Sequence, residues 1–231
     1  MKKIALLVFI GVLYSCSATK QTTSTKNETK KAAYSYLALG DSYTIGESVC
    51  QTCTYSHQLV DSLQQTNNTN IDLKIVAKTG WTTSDLLSAL ATKELAPTYD
   101  FVTLLIGVNN QYQQKDFTLY EKEFPILLNK AIQYAGGTTE NVVVLSIPDY
   151  SYTPFGKEPT PEAISMELRE YNAFAKDYSE KVGVRFLNIT DITQQGLERP
   201  ELVASDGLHP SEVAYHLFMK RLYEMALPSF N

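Results

Sequence analysis

A serine, an aspartate and a histidine stand in short polar segments near the two ends of this 231-residue chain. Ser42 follows Gly40-Asp41, and His209 follows Asp206 by three residues. A serine hydroxyl becomes a nucleophile when a histidine takes its proton, and the histidine needs a carboxylate to hold its ring. The three residues therefore predict nucleophilic acyl transfer, although either segment alone is also an ordinary turn or helix cap.

The histidine content narrows the choice of base, because the chain has only three histidines. His57 and His216 fall within predicted helices and are interpreted as ordinary helix residues. His209 alone lies in a loop, just before the last predicted helix, and is the candidate base.

Five short apolar runs predict the strands that must position these residues. They are rich in Val, Ile and Leu and lack strict alternation, which is typical of strands buried on both faces. The runs cover residues 34–39, 71–77, 101–106, 142–147 and 184–189.

Helical patterns fill the intervals between these runs. Thr83-Ser84-Asp85 predicts a helix cap, and Pro125 predicts a kink or a break in its helix. Alternation of strand and helix with short connections predicts an α/β protein, a three-layer α/β/α sandwich built on a five-stranded parallel sheet. The helical patterns cover residues 55–65, 83–90, 120–135, 164–182 and 213–225.

Ligands of such sheets bind beyond the carboxyl ends of the strands, so the segments that follow the strands are candidate site segments. Thr79-Gly80-Trp81 follows the second run, and its glycine lets a backbone N–H approach a ligand. Gly107-Val108-Asn109-Asn110 follows the third run and offers side-chain amides. Residues 149–160 follow the fourth run and are rich in Tyr and Pro. This loop is expected either to line the crevice, around an acyl chain or a sugar ring, or to be a packed surface loop.

Four blocks of sequence together resemble those of the SGNH, or GDSL, hydrolase family, in the family's order. The pentad Gly-x-Ser-x-Gly of ordinary α/β-hydrolases is absent, because Thr44 occupies its last position. The resemblance implies the flavodoxin-like SGNH hydrolase fold and an esterase that acts through an acyl-enzyme intermediate, without a cofactor or a metal. The blocks are Leu39-Gly40-Asp41-Ser42, Gly80, Gly107-Val108-Asn109 and Asp206-x-x-His209, and they span residues 39–210.

The resemblance also implies a role for each matching residue. Ser42 would be the nucleophile, His209 the base and then the acid, and Asp206 the residue that orients His209. The backbone N–H groups of Ser42 and Gly80 and the side-chain amide of Asn109 would form the oxyanion hole. Asn110 stands where the family commonly has an aspartate. The mechanism is expected to survive this change, and the local support of Asn109 is left open.

Two further functions compete with a general esterase. One is a non-catalytic or carbohydrate-binding lipoprotein that keeps the fold, and the other is a deacetylase of acetylated glycans. The complete set of Ser42, Asp206 and His209 favours catalysis. The expected partner is a small-molecule or glycan ester, and the expected oligomeric state is a monomer.

The N-terminal residues predict export rather than a part of the fold. Residues 1–15 have a positive start and a short apolar core, which is typical of a signal peptide. Leu13-Tyr14-Ser15-Cys16 resembles a lipoprotein box, so Cys16 is the expected lipidation site and an ordinary signal peptide is the alternative. The polar residues 16–33 predict a flexible tether. A hydrolase domain at 34–231, anchored in the bacterial cell envelope (periplasmic or outer-membrane facing), is therefore expected.

Cys50 and Cys53 form a Cys-x-x-Cys motif that fits a structural disulfide, a redox pair or a metal site. An exported protein meets an oxidising compartment, which favours the disulfide.

The charge balance excludes nucleic acid as a partner, because 20 Lys and Arg residues stand against 25 Asp and Glu residues. A chain of this net charge lacks the basic surface that nucleic acid requires.

Overall fold

The computed structural model describes residues 34–67, 69–156 and 161–230, and these residues build an α/β/α sandwich around one parallel sheet. The strand order is β2-β1-β3-β4-β5, and every neighbouring pair is parallel. Each predicted apolar run contains one strand, so the predicted fold class is confirmed. The strands are β1 (Tyr34–Gly40), β2 (Ile71–Ala77), β3 (Phe101–Leu105), β4 (Val142–Leu145) and β5 (Arg185–Leu187).

Burial of each strand follows its place in the sheet. Every residue of β3 and β4 is buried, because helices cover both faces there. β2 lies at one edge, and its Asp72 and Lys74 are exposed. Burial on both faces was therefore the right expectation for the inner strands and the wrong one for β2. Exposed charges on an edge strand hinder pairing with another sheet.

The helices lie on the two faces of the sheet. α2 packs against α8 on one face, while α3, α5 and α6 pack side by side on the other. The helices of the described residues are α1 (Ser42–Ile45), α2 (Tyr55–Asn67), α3 (Thr83–Thr92), α4 (Val108–Tyr112), α5 (Phe117–Tyr134), α6 (Pro161–Lys181), α7 (Thr190–Thr193) and α8 (Glu212–Ala226).

The cap of α3 lies one residue earlier than predicted. The Thr82 side chain accepts the N–H of Asp85, and the Asp85 carboxylate accepts the N–H of Thr82, which is a capping box. The hydroxyls of Thr83 and Ser84 instead donate to Glu123 on α5. These two residues therefore join two helices and do not cap one.

α5 continues through Pro125, so the predicted break does not occur. Proline removes one backbone hydrogen bond from a helix and crowds the preceding turn. Phe124, Leu127 and Leu128 are buried around it, and their burial holds the helix on the sheet.

The buried face of α8 begins one residue after the start of the helical pattern predicted at 213–225. Val213 is 45% exposed, whereas Ala214, Phe218 and Leu222 are buried at four-residue spacing. The three buried residues belong to the predicted pattern, and only its first residue, Val213, lies outside the buried face.

The signal peptide at 1–15, Cys16 and the tether at 16–33 lie outside the described residues. Within the described ranges, no helix is both long and apolar enough to cross a membrane.

Candidate active site

Ser42 lies directly after β1, at the carboxyl edge of the sheet, and is the first residue of α1. Asp41 caps this helix by accepting the N–H of Tyr43 at 3.0 Å. A Cβ on Gly40 would lie 2.1 Å from the Thr44 hydroxyl and 2.5 Å from the Leu105 carbonyl oxygen. Only glycine therefore lets α1 fold back this tightly and hold Ser42 at the edge of the sheet.

Asp206 and His209 form a short hydrogen-bonded loop before α8. The Nδ1 atom of His209 lies 2.6 Å from Asp206 Oδ2. Asp206 Oδ1 accepts the backbone N–H groups of Leu208 and His209 at 2.9 and 3.0 Å. Ser48, from the segment after α1, donates its hydroxyl to Asp206 Oδ2 at 2.7 Å. The imidazole thus has one fixed nitrogen and a fixed ring plane.

The electrostatics of Asp206 follow from these bonds. Partial burial alone would raise its pKa, but the hydrogen bonds from His209, Leu208 and Ser48 outweigh that effect. They hold the pKa of Asp206 well below its usual range, so the carboxyl is ionised at neutral pH. An ionised carboxylate beside Nδ1 favours an imidazole that carries a proton on that nitrogen.

Gly80 and Asn109 come from the segments after β2 and β3. Gly80 has a φ of +81°, a left-handed conformation that favours glycine, and no atom occupies the space of a Cβ there. The Asn109 amide donates to the Trp81 carbonyl oxygen at 3.1 Å and to Asp41 Oδ2 at 3.4 Å. Two acceptors from different segments therefore orient the Asn109 side chain.

Asn110 explains how the asparagine block is supported. Its side chain is fully buried, accepts the Thr83 N–H at 2.9 Å and donates to the Thr83 hydroxyl at 2.7 Å. These two bonds tie α4 to the start of α3. Because α4 also carries Asn109, the bonds of Asn110 provide the local support of Asn109 that the sequence left open.

Asp41 is a fully buried carboxyl immediately before Ser42. Burial raises its pKa to about 7, against the lowering effect of the Tyr43 N–H and the Asn109 amide. Burial likewise raises the pKa of the Tyr43 phenol well above its usual value, and the phenol therefore stays neutral.

A cleft of about 310 Å³ brings the predicted residues together. Ser42, Gly80, Asn109 and His209 line it, while Asp206 contacts the far side of the His209 ring. Among the described residues no hydrogen bond joins the Ser42 hydroxyl to His209. The remaining lining residues are Tyr43, Thr79, Val108, Tyr112, Tyr150, Phe155 and Leu208.

The aromatic loop after β4 contributes to the cleft, as one of the two interpretations predicted. Tyr150 and Phe155 line the cleft, and residues 157–160 lie outside the described residues. Tyr152 is absent from the lining.

Sequence reasoning missed three contributors to the site. Tyr112, 54% exposed, contacts both Tyr150 and Phe155. The Tyr43 ring packs on the His209 ring with centroids 5.1 Å apart. Ser48 reaches Asp206 across 158 residues of sequence. Tyr43 and Tyr112 lie close in the sequence to Ser42 and Asn109, and this proximity was their only signal. No local signal indicated Ser48.

The remaining histidines lie outside the cleft. His57 is in the first turn of α2, where Nδ1 lies 2.9 Å from the Thr54 hydroxyl, and partial burial lowers its pKa. His216 is exposed on α8 and its Nδ1 lies 3.1 Å from the Gln58 side-chain oxygen. Both placements agree with the interpretation as ordinary helix residues.

Cys50 and Cys53 are joined by a disulfide. Of the three alternatives for this motif, the disulfide is therefore the one the structure contains. No group of three or more His, Cys, Asp or Glu side chains suited to a metal ion occurs in the part of the chain that is described.

Solved structures similar to this chain include hydrolases. A member of the lipolytic G-D-S-L family from Veillonella parvula has a TM-score of 0.62 at 17% identity, over 83% of this chain and 97% of that one. An acetyl xylan esterase from Geobacillus stearothermophilus has a TM-score of 0.64 at 18% identity, over 84% and 95%. An α/β hydrolase from the metagenome of Lake Arreo has a TM-score of 0.64 at 19% identity, over 87% and 97%. At these identities the likeness is one of fold.

Sequence comparison identifies the family. No match was found among curated protein sequences. A profile of the GDSL-like lipase/acylhydrolase family matches residues 38–217, which is well over half of the chain and includes all four blocks. The chain therefore belongs to the GDSL-like lipase/acylhydrolase family and is a hydrolase of ester bonds with the SGNH fold.

Proposed function

We propose that the chain hydrolyses carboxylic esters through an acyl-enzyme formed on Ser42. His209 takes the proton of the Ser42 hydroxyl, and Asp206 holds the His209 ring and stabilises its charged form. One observation carries this proposal: His209 lines the same cleft as Ser42 while its Nδ1 is bonded to Asp206 at 2.6 Å. With Nδ1 occupied, Nε2 is the nitrogen left to exchange a proton with the substrate side.

The reaction has two halves, and His209 accepts and returns one proton in each of them. The Ser42 oxygen bonds to the ester carbonyl carbon while His209 accepts the hydroxyl proton. His209 then gives this proton to the leaving alcohol as the ester C–O bond breaks. A water molecule next gives a proton to His209 while its oxygen bonds to the acyl carbon. His209 then passes this proton to the Ser42 oxygen as the bond between that oxygen and the acyl carbon breaks, which releases the acid. The hydrogen bond between a nucleophilic serine and its base is often long in an unliganded site and shortens when substrate binds.

The negative oxygen that forms during both attacks needs donors. The proposed donors are the backbone N–H groups of Ser42 and Gly80 and the side-chain amide of Asn109. Ser42, Gly80 and Asn109 all line the cleft, and the Asn109 amide is oriented by its bond to the Trp81 carbonyl oxygen. Its longer bond to Asp41, at 3.4 Å, would be given up when the amide donates to the negative oxygen, because the amide has only two hydrogens. Removal of one such donor typically costs about 10²–10³-fold in rate.

The nucleophile is tested by Ser42→Ala. We expect hydrolysis of p-nitrophenyl acetate to fall by about 10⁶-fold while circular dichroism stays unchanged. A fluorophosphonate probe should label the unmodified chain at Ser42 only. Wild-type turnover by the Ser42→Ala protein would contradict the proposal.

A matched pair of histidine variants tests the base. His209→Ala should lose activity to a similar degree, whereas His216→Ala, an exposed position on α8, should retain it. Equal loss in both variants would show that the effect comes from the fold and not from the proposed base.

The surroundings of the cleft suggest the kind of ester. A second groove of about 780 Å³ meets the cleft at Tyr112 and Tyr150 and is lined by Gln111, Glu167 and Glu170 among others. A mostly apolar cleft beside a groove of carboxylates and amides fits a small acyl group on a neutral alcohol with several hydroxyls. The acetyl xylan esterase among the structural neighbours supports the same class. Acetylated oligosaccharides should therefore be better substrates than p-nitrophenyl esters of long fatty acids, and the reverse order would contradict this choice.

We also propose that Cys16 is lipidated and anchors the chain in the cell envelope. The support is the apolar run before Leu13-Tyr14-Ser15-Cys16 and the polar stretch that follows it. The anchor would place the hydrolase near envelope esters.

A further inference from the structure

Ser48 connects the two halves of the proposed active site. It lies six residues after Ser42 in the sequence, and its hydroxyl donates to Asp206 Oδ2 at 2.7 Å. The same oxygen lies 2.6 Å from His209 Nδ1. Asp206 Oδ2 thus faces two donors, one from the base and one from the nucleophile segment.

The backbone of Ser48 is in an uncommon conformation. Its φ is +66°, in the left-handed region that residues other than glycine rarely adopt. Gln114 is the other such residue among the described ones. Conformations of this kind persist where the surrounding structure imposes them, and they concentrate at functional sites.

The segment around Ser48 is attached at both ends. On the nucleophile side, the N–H groups of Gly46 and Glu47 both donate to the Ser42 carbonyl oxygen at 3.0 Å. The Glu47 carboxylate accepts the Thr79 hydroxyl, beside Gly80. These contacts link the position of Ser48 to the position of the nucleophile.

On its other side, the segment ends in the Cys50–Cys53 disulfide. The Cys53 carbonyl oxygen accepts the Gln58 side-chain amide on α2 at 2.7 Å, and the Cys53 N–H donates to the Cys50 carbonyl oxygen at 2.9 Å. Cys53 is buried while Cys50 is exposed, so the disulfide attaches an exposed loop to the body of the fold.

We propose that Ser48 is a positioning residue that fixes the Asp206–His209 pair against the Ser42 segment, and that the Cys50–Cys53 disulfide acts by holding Ser48 in place. This inference rests on the proposed function. It gives a role in the same site to a cysteine pair that the catalytic chemistry leaves unused. The low pKa of Asp206 agrees with it, since the Ser48 hydroxyl is one of the donors that lower it.

Ser48→Gly removes the hydroxyl without straining the backbone, because glycine adopts a positive φ readily. We expect the rate of fluorophosphonate labelling at Ser42 and kcat for p-nitrophenyl acetate to fall about tenfold, as for loss of one charge-assisted hydrogen bond. KM should change little. The low-field proton resonance of His209 Nδ1–H should broaden, because the carboxylate that holds the ring has lost one of its restraints.

Ser229→Gly is the matched control, since it also removes a serine hydroxyl that donates to a side-chain oxygen, that of Asn141 at 2.8 Å, and Ser229 lines neither the cleft nor the second groove. It should leave labelling, kcat and the His209 resonance at wild-type values. The same loss in both glycine variants, or an unchanged kcat and resonance in Ser48→Gly, would overturn the inference.

The role of the disulfide is tested with Cys50→Ser/Cys53→Ser, alone and combined with Ser48→Gly. If the disulfide acts through Ser48, the double cysteine substitution lowers the labelling rate in the wild-type background. It then causes no further loss in the Ser48→Gly background. Additive losses would overturn this part. Absence of labelling in the wild-type chain would instead refute the proposed function, so the two failures are distinguishable.

Discussion

Asp41 is a buried carboxyl whose ionisation should weaken the fold as the pH rises. Its pKa is about 7 in the folded chain, against an ordinary value of 3.8. Between these two values the folded chain retains a proton that the unfolded chain has lost. Stability contributed by this group is therefore complete below about pH 4, falls as the pH rises toward 7, and is constant above that.

Asp41→Asn removes this dependence and keeps the helix cap, but loses the 3.4 Å bond that Asp41 Oδ2 accepts from the Asn109 amide. Asparagine is as good a helix cap as aspartate, and its side-chain oxygen can still accept the Tyr43 N–H. The difference between 3.8 and about 7, at about 1.36 kcal/mol per pH unit, corresponds to about 4 kcal/mol. We therefore expect the free energy of unfolding of Asp41→Asn, relative to that of the wild type, to rise by up to about 4 kcal/mol between pH 4 and pH 8.

The assay is urea unfolding of both proteins from pH 4 to pH 8, with the free energy of unfolding compared at each pH. Asp116→Asn is the matched control, because Asp116 caps α5 through the Thr118 N–H as Asp41 caps α1. Asp116 is exposed, and bonds from Thr118 lower its pKa, so this control should gain no relative stability as the pH rises. A difference between Asp41→Asn and wild type that is the same at pH 4 and pH 8 would refute the reasoning.

Two further predictions concern Asn110 and the N-terminus. Asn110→Asp restores the residue common in the family but removes the donor to the Thr83 hydroxyl and buries a charge. It should cost about 1–3 kcal/mol at pH 8 and less at pH 4, as measured by urea unfolding, and equal stability at both pH values would contradict this. Cys16→Ser should move the exported chain from the membrane fraction to the soluble fraction and abolish incorporation of labelled fatty acid. A Cys16→Ser chain that still sediments with membranes would contradict the lipid anchor.

The strands and the site segments were predictable because their signals are local. A strand buried on both faces needs a continuous apolar run, and the runs of the inner strands are visible in the sequence. The run of β2 is interrupted by Asp72 and Lys74, in keeping with its place at the edge of the sheet. The turns that follow the strands carry Ser42, Gly80, Asn109 and the Asp206–His209 loop. Their arrival in one cleft follows from the parallel topology, which brings all the carboxyl ends to one edge.

Local patterns failed where a distant partner decided the outcome. Thr83 looks like a cap, but its hydroxyl donates to Glu123, forty residues away in the sequence. Val213 belongs to the apolar stripe of α8 by composition, yet it is exposed because the face that meets α2 begins one residue later. Pro125 predicts a kink or a break, and the break does not occur because burial of its neighbours keeps α5 continuous.

The sequence alone determined the strand–helix alternation, the family resemblance and the identity of the residues proposed for catalysis, since each depends on residue types at short spacing. Tertiary structure alone decided which aromatic rings line the cleft, how Asp41 and Trp81 orient Asn109, and that Ser48 reaches Asp206. These hydrogen bonds join residues that lie between 28 and 158 positions apart in the sequence. No local pattern encodes such pairs, because the distance between them is set by how the helices pack on the sheet.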